Sequence, residues 1–400
     1  MHSGVNIVPY ERMPVVSTSV VFRYFLSSTS EVVEENGSLW RCVFPLYLNP
    51  QKTGEYDPAE LVLTYGDYFK TVRLFLENRE FSVVTSAVFE TTQQPCMAQD
   101  ISTIDIFLVK HGQFYHPSRV EVLSMGRVFT FVVNAALSFS GKSCIKREFD
   151  LLNRLSLTSS GAYLPRVYGY GEVILPEGRE VKLFLGQWFD NFHEFHICVD
   201  PMDQQHKIRV WHSCTTPGFL TPDQTLEMYR QIAMILTNCY DVESFEQVFP
   251  WHHAAGDFVV SFSDDSPRIR LITVRQYGAL LETPDKDENT ILEAMLFFLV
   301  NLSIRTRLDR IDGVGEVVWA GLLAVEGTIR GFMDGLSAKA PRRDLQFREF
   351  FASVSLLELR EICEAVADSY HPLAPEISLV REHLAVHAGE VFASLMAFSA

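Results

Sequence analysis

Apolar positions along this chain follow two different periods, and the change between them divides it. Before Pro217 most segments are short and rich in β-branched and aromatic residues, the texture of strands. Residues 15–25 and 39–47 predict two strands, with Asn36-Gly37 as a turn between them. Asp57-Pro58-Ala59-Glu60 reads as a helix start, with Asp57 as cap, Pro58 in the first turn and Glu60 completing a capping box. Leu61, Tyr65, Tyr68, Val72 and Phe75 continue it at helical spacing, and 81–89 predicts a further strand. Residues 93–100, containing Pro95, read as a linker.

From Ile101 the pattern is strand (104–110), loop (111–118, with Gly112 and Pro117), strand (120–123), turn, strand (128–135). A helix over 144–155 carries Ile145, Leu151, Leu152 and Leu155. Strands at 167–174 and 181–189 follow, then a hairpin of 196–199 with 208–211. After Pro217 the period becomes helical. Thr221-Pro222-Asp223-Gln224 caps a helix with Leu226, Tyr229, Ile232, Leu236 and Cys239 on one face. Short strands at 258–262 and 269–274 interrupt, and helices are predicted at 288–308, 315–333, 343–353, 356–369 and 376–397. A sheet-rich part followed by a helix-rich part predicts the α+β class.

Composition narrows the function classes. Across 400 residues the chain is 47% hydrophobic and 21% charged, enough apolar matter for a sizeable core and too much for global disorder. The net charge of −16 sets the surface against phosphate backbones, so nucleic acid is excluded as a main partner. The most apolar run, 291–302, is broken by Glu293 and falls well short of the roughly 20 residues a membrane span needs. Residues 1–16 carry Glu11 and Arg12 where a signal peptide would be apolar. Seven cysteines stand singly, without paired spacing, so reduced thiols and a cytoplasmic location are expected. The partner expected is a small molecule or a protein, with no membrane involved.

Five features, in order, resemble the protein-kinase-like fold in its aminoglycoside and choline phosphotransferase branch. His111-Gly112-Gln113-Phe114-Tyr115-His116 stands where a phosphate-covering loop would join two strands. Arg147-Glu148-Phe149-Asp150-Leu151-Leu152 is similar to the helix of the small lobe, and 183–191, including Gln187, stands at the hinge. Trp251-His252-His253-Ala254-Ala255-Gly256-Asp257-Phe258 resembles the catalytic loop. Arg330-Gly331-Phe332 is similar to a Gly-aromatic pair of the large lobe. The resemblance implies ATP and magnesium as cofactors, Asp257 as catalytic base and Glu148 as helix anchor. It also implies cofactor contacts at Gly112, Phe114, Tyr115, Asn134, Gln187 and Thr273.

The pattern is incomplete. Phosphoryl transfer in this fold needs a strand Lys, a helix Glu, a catalytic Asp, and an Asn and a further Asp for metal. Asn134 stands where the Lys is expected, Phe262 where the Asn is expected, and Thr273 at the metal-binding Asp. Ala254-Ala255 is a two-residue insertion relative to the family's loop. Lys142, Lys146 or Arg275 are the cations available to compensate, and Asp264-Asp265 the spare carboxylates. The plainer alternatives are that Asp257 caps local amides and that Glu148 forms an exposed helix ion pair.

A rival motif overlaps. Ala136-Leu137-Ser138-Phe139-Ser140-Gly141-Lys142-Ser143 fits a relaxed phosphate loop, with Lys142 as cation and Ser143 on magnesium. Such a loop belongs at the carboxyl edge of a parallel sheet. His193-Glu194-Phe195-His196 is one residue short of zinc-protease spacing, and His252-His253 read as loop braces. The expected architecture is therefore an N-terminal α+β extension (1–100), a kinase-like antiparallel sheet lobe (101–190) and a helical lobe (191–400). The expected function is a degenerate kinase-like protein that binds a nucleotide, a metabolite or a partner with little or no phosphotransfer. The alternatives are an ATP-dependent small-molecule phosphotransferase with atypical metal ligands, and a phosphate-loop hydrolase using Lys142 and Ser143.

Overall fold

The computed structural model describes residues 7–9, 20–26, 31–45, 63–112, 114–176, 178–211, 218–249, 251, 254–280 and 287–399. The chain divides into two compact units, Met1–Asn153 with Pro165–Asp190, and Arg154–Leu164 with Asn191–Ala400. The fold is α+β, a sheet-rich unit and a helix-rich unit, as the sequence pattern predicts.

The first unit is built on an 8-stranded sheet. In chain order its elements are β1 (Ile7–Pro9), β2 (Val21–Leu26), β3 (Glu31–Val32), α1 (Tyr65–Thr92), β4 (Ile101–Leu108), β5 (His116–Ser124), β6 (Arg127–Ala136), α2 (Phe139–Ser156), β7 (Val167–Ile174) and β8 (Glu180–Gln187). The spatial order is β1-β7-β8-β6-β5-β4-β2-β3. Every pairing from β4 through β7 is antiparallel, and only β1 on β7 and β2 on β4 run parallel. Strands β5 and β6 alternate buried and half-buried positions, so each face of the sheet carries its own layer. On one face Phe131, Val133 and Ala135 join Tyr68, Phe69, Val72, Val84 and Val88 of α1 in a single apolar core.

The described residues before Ile101 pack onto this sheet. β2 lies against β4 and α1 covers the sheet, because the apolar face left by β4–β8 has to be buried and α1 supplies the cover. The expected strand at 81–89 is helical. Phe81, Val84 and Val88 recur at helical spacing toward the core, and that burial overrides their β-propensity. Non-helical backbone from Asn78 to Phe81 breaks α1 into two segments. Its start is a capping box of Thr64 and Asp67, while Asp57, Pro58, Glu60 and Leu61 lie outside the described residues. The expected strand at 39–47 begins instead as a single 3-10 turn, Leu39–Arg41, that buries Trp40.

The second unit runs β9 (Phe195–Val199), β10 (His206–Val210), α3 (Pro222–Cys239), β11 (Glu246–Val248), α4 (Ala254–Asp257), β12 (Phe258–Ser263), β13 (Ser266–Leu271), β14 (Tyr277–Ala279), α5 (Glu288–Thr306), β15 (Leu308–Arg310), β16 (Val317–Trp319), α6 (Leu322–Lys339), α7 (Pro341–Phe351), α8 (Leu356–Asp368) and α9 (Ile377–Ser399). Thr221 and Gln224 cap α3 as their spacing indicates. The helix expected from 315 starts only at Leu322, because Val317–Trp319 pairs with Leu308–Arg310 as a strand. Gly327, Gly331 and Gly335 line one stripe of α6 against α3. A Cβ on Gly331 would sit 1.9 Å from the Arg230 carbonyl oxygen, so only glycine admits this approach. Gly331 is therefore a helix-packing residue.

Candidate functional site

In the sheet-rich unit, three of the expected residues share one side of the sheet. Asn134 follows the fully buried Val133 in β6 and so projects to the opposite face. It pairs in register with Phe184 of β8. The Phe184 ring contacts Phe149 of α2 at 6.2 Å and Tyr115 at 6.5 Å between centroids. Tyr115, Asn134 and α2 are therefore gathered on the face away from α1. Glu148, the neighbour of Phe149 on α2, is 1% exposed. It is not the exposed helix pair that a plain surface reading predicts.

The 111–116 loop is tightly folded. The Gly112 amide donates to the Tyr115 carbonyl at 3.1 Å, and a Cβ on Gly112 would come within 2.5 Å of that oxygen. The flanking histidines meet, with His111 Nδ1 and His116 Nδ1 3.3 Å apart. Burial lowers the His111 pKa. The Phe114 carbonyl points at the first turn of α2, where a Cβ on Gly141 would lie 2.1 Å from its oxygen. Gln113 lies outside the described residues. Gln187 closes the sheet instead of facing this loop. Its amide donates to Arg166 O at 2.8 Å, and its side-chain oxygen accepts from Arg166 N at 3.3 Å.

That geometry corrects the phosphate-loop reading. β6, the strand before Gly141-Lys142-Ser143, is flanked by β5 and β8, both antiparallel to it. No parallel carboxyl edge exists there for an anion to sit on. Two amides at the start of α2 are already used, Gly141 N donating to Ser138 Oγ at 3.2 Å and Lys142 N to Ser138 O at 2.9 Å, and the Phe114 carbonyl packs against Gly141. The sequence at 136–143 is a capped strand-to-helix turn.

In the helix-rich unit, Asp257 ends α4, one helical turn formed by the inserted Ala254-Ala255 with Gly256. Asp257 is 2% exposed. Its Oδ1 accepts a hydrogen bond from Arg275 Nη1 at 2.7 Å, a buried charge-assisted contact. The main chain reinforces the placement, since Ile272 N donates to Asp257 O at 2.9 Å. Thr273 lies half-buried on the same return segment, two residues before Arg275. His252 and His253 lie outside the described residues. Phe262 is on β12 opposite Pro267. Asp264 and Asp265, the spare carboxylates, form the two-residue turn of the β12–β13 hairpin with φ of 50° and 63°, left-handed geometry that Asp tolerates.

These residues do not fit magnesium–ATP. The would-be base is spent on an arginine, the spare carboxylates serve a turn, and the third-strand cation is a neutral amide. Lys146, a possible substitute, is held by Asp150 at 2.5 Å. Among the described residues no group of three or more His, Cys, Asp or Glu is placed to hold a metal. His196, from the short zinc-like motif, faces Asp309 Oδ1 at 3.2 Å instead. No helix among the described residues is long and apolar enough to cross a membrane.

The Asp257–Arg275 pair was not legible in advance. The two residues are 18 apart with a whole hairpin between them, and no local spacing signals such a pair.

No protein-family model matches the chain, and no curated protein matches it. Among solved structures, WaaP in complex with acyl carrier protein is similar at 12% identity and a TM-score of 0.30, over 66% of this chain and 88% of that one. A likeness that slight does not bear on the reaction or its residues.

Proposed function

We propose that this chain is a degenerate kinase-like protein that works by binding, with little or no phosphotransfer. The observation that carries the reading is the ion pair of Asp257 with Arg275, 2.7 Å long on a carboxylate 2% exposed. A catalytic base has to reach the hydroxyl proton it removes. A carboxylate held by a guanidinium is already engaged and has to be released before it can accept that proton. Asn134 and Thr273 point the same way, because the loose transition state of phosphoryl transfer depends on fixed cations and on metal.

What remains is a folded scaffold with a tight 111–116 loop beside the half-buried Asn134, which sits next to the buried rings of Tyr115 and Phe184. Such a setting suits a small ligand or a peptide side chain without demanding a triphosphate. The test is nucleotide binding measured with and without magnesium, beside an ATP-turnover assay. Binding of a nucleotide without any magnesium dependence, and without turnover, is the expected result. Magnesium-dependent turnover would favour the phosphotransferase alternative, in which Arg275 would have to release Asp257 during the reaction.

A further inference from the structure

His196, the last residue of the short zinc-like motif, is pinned on three sides. Its Nδ1 lies 3.2 Å from Asp309 Oδ1. A carboxylate only accepts, so Nδ1 carries the ring proton and Nε2 of the neutral imidazole keeps a lone pair. Asp309 is 5% exposed and also accepts from Ile197 N and Arg310 N, each at 2.7 Å, which fixes the carboxylate between β9 and β15. The Trp211 ring lies 4.7 Å from the imidazole, centroid to centroid. Gly313 closes on the same ring: its φ is 74°, and a Cβ there would come within 2.8 Å of His196 Nε2, so only glycine fits.

Nε2 makes no hydrogen bond among the described residues, and 11% of the His196 side chain stays exposed. Register sets Arg209 of β10 directly opposite His196, so the two side chains share one face of the β9–β10 hairpin. Among the described residues Arg209 Nε is buried without a hydrogen-bond partner, and the guanidinium makes no ion pair. A buried donor left unmade is unfavourable, and an arginine without a carboxylate is unusual in a chain of net charge −16. Trp211, two residues after Arg209 and 40% exposed, flanks the same face. Cys198 lies there too but is no nucleophile. Its Sγ donates to the His196 carbonyl at 3.6 Å, and burial, then Asp312, raise the thiol to about 12. The face offers binding groups and no covalent chemistry.

The two open groups differ in what they ask of a ligand. Arg209 presents donors and a fixed charge, which call for an anionic oxygen, and His196 Nε2 presents a lone pair, which calls for an O–H. We infer that this face of the β9–β10 hairpin binds a small oxyanion carrying its own hydroxyl, with Arg209 on the charged oxygen, His196 Nε2 accepting from the hydroxyl and Trp211 flanking both. Asp309 is a positioning residue, because it decides which imidazole nitrogen keeps the lone pair. A 2-hydroxycarboxylate and a protonated phosphate share this chemistry. The site uses neither Asp257 nor Asn134, so it stands or falls apart from the proposed loss of phosphotransfer.

The experiment is calorimetric titration of the full chain with glycolate, with inorganic phosphate and with acetate, each against chloride at equal ionic strength and neutral pH. Saturable binding of glycolate or phosphate is expected, several-fold tighter than that of acetate, which has the charge and no hydroxyl. Arg209→Gln should weaken it about tenfold, the size of a charge-assisted contact. Arg209→Lys, which keeps the charge but not the fork, should fall between and serves if the glutamine variant does not fold. His196→Gln should abolish the preference over acetate and leave acetate binding unchanged. Imidazole nitrogen NMR shifts should place the His196 proton on Nδ1 in the free protein and move Nε2 in the complex. Tighter binding of glycolate assigns a 2-hydroxycarboxylate, and tighter binding of phosphate assigns a phosphate group. Absence of saturable binding above the chloride control, acetate bound as tightly as the better of the two probes, or binding unchanged by both Arg209 substitutions overturns the inference.

Discussion

Arg275 Nη1 donates to Asp257 Oδ1 at 2.7 Å, and this contact joins the end of α4 to the segment that follows β13. It places a cation where the kinase resemblance needs a free carboxylate. The pair also decides stability, because Asp257 is buried and Arg275 largely so. Arg275→Gln should therefore destabilise the protein by about 3 kcal/mol, the usual cost of leaving one charge of a buried pair uncompensated. Asp257→Asn combined with Arg275→Gln should recover most of that loss. Urea unfolding of both single variants and the double variant measures it, and additive effects would contradict the pairing.

Gly141 separates the two readings of the 136–143 turn. A Cβ there would meet the Phe114 carbonyl oxygen, a backbone atom, at 2.1 Å. Gly141→Ala should cost about 1–3 kcal/mol by overpacking. Lys142→Ala should change stability by less than about 0.5 kcal/mol and leave nucleotide binding unaltered. Thermal unfolding and a nucleotide titration report both, and a nucleotide affinity that falls with Lys142→Ala would revive the phosphate loop.

The central sheet was legible because its strands carry the β-branched, alternating texture of a half-buried sheet. Strand 167–174 coincides with β7, and 128–135 falls within β6. The helices beyond 288 were legible from their period. What escaped was decided by tertiary contact. Residues 81–89 have strand-like composition, yet Phe81, Val84 and Val88 face a sheet that only a helix at that spacing could cover. Glu148 was picked out by the apolar Leu151 and Leu152 three and four residues on, but its 1% exposure comes from packing that no local pattern encodes.

His387 links α9 to the end of α5. It is fully buried, it meets Arg307 Nη1 at 3.3 Å through Nδ1, and its Nε2 lies 3.0 Å from Ser303 Oγ. Burial first, and then the Arg307 charge, push its pKa from 6.5 down to about 3. The folded protein thus resists a proton that the unfolded chain takes up near pH 6.5. Stability is complete above that pH and declines as pH falls toward 3, by about 1.4 kcal/mol per unit from this one group. Urea unfolding between pH 6.5 and 5, where most carboxylates stay ionised, should show the slope in the native protein and a smaller one in His387→Gln. Equal slopes would contradict it.

The six cysteines within the described residues, Cys42, Cys96, Cys144, Cys198, Cys239 and Cys363, are all unbridged. Burial pushes the thiols of Cys198 and Cys363 up to about 12, so both are inert in the folded state. Protein denatured without reductant should titrate close to the full complement of seven thiols. Recovery of far fewer would contradict a reduced protein.

The central claim is loss of phosphotransfer. Removing one preorganised charge-stabilising group costs roughly 3–4 kcal/mol of barrier, so on the proposed reading the neutral Asn134 and Thr273 would together leave turnover negligible. The direct measurement is magnesium-dependent ATP turnover by the purified protein beside its Asp257→Asn variant. The account predicts near-background turnover that the substitution leaves unchanged; robust phosphoryl transfer abolished by Asp257→Asn would contradict it.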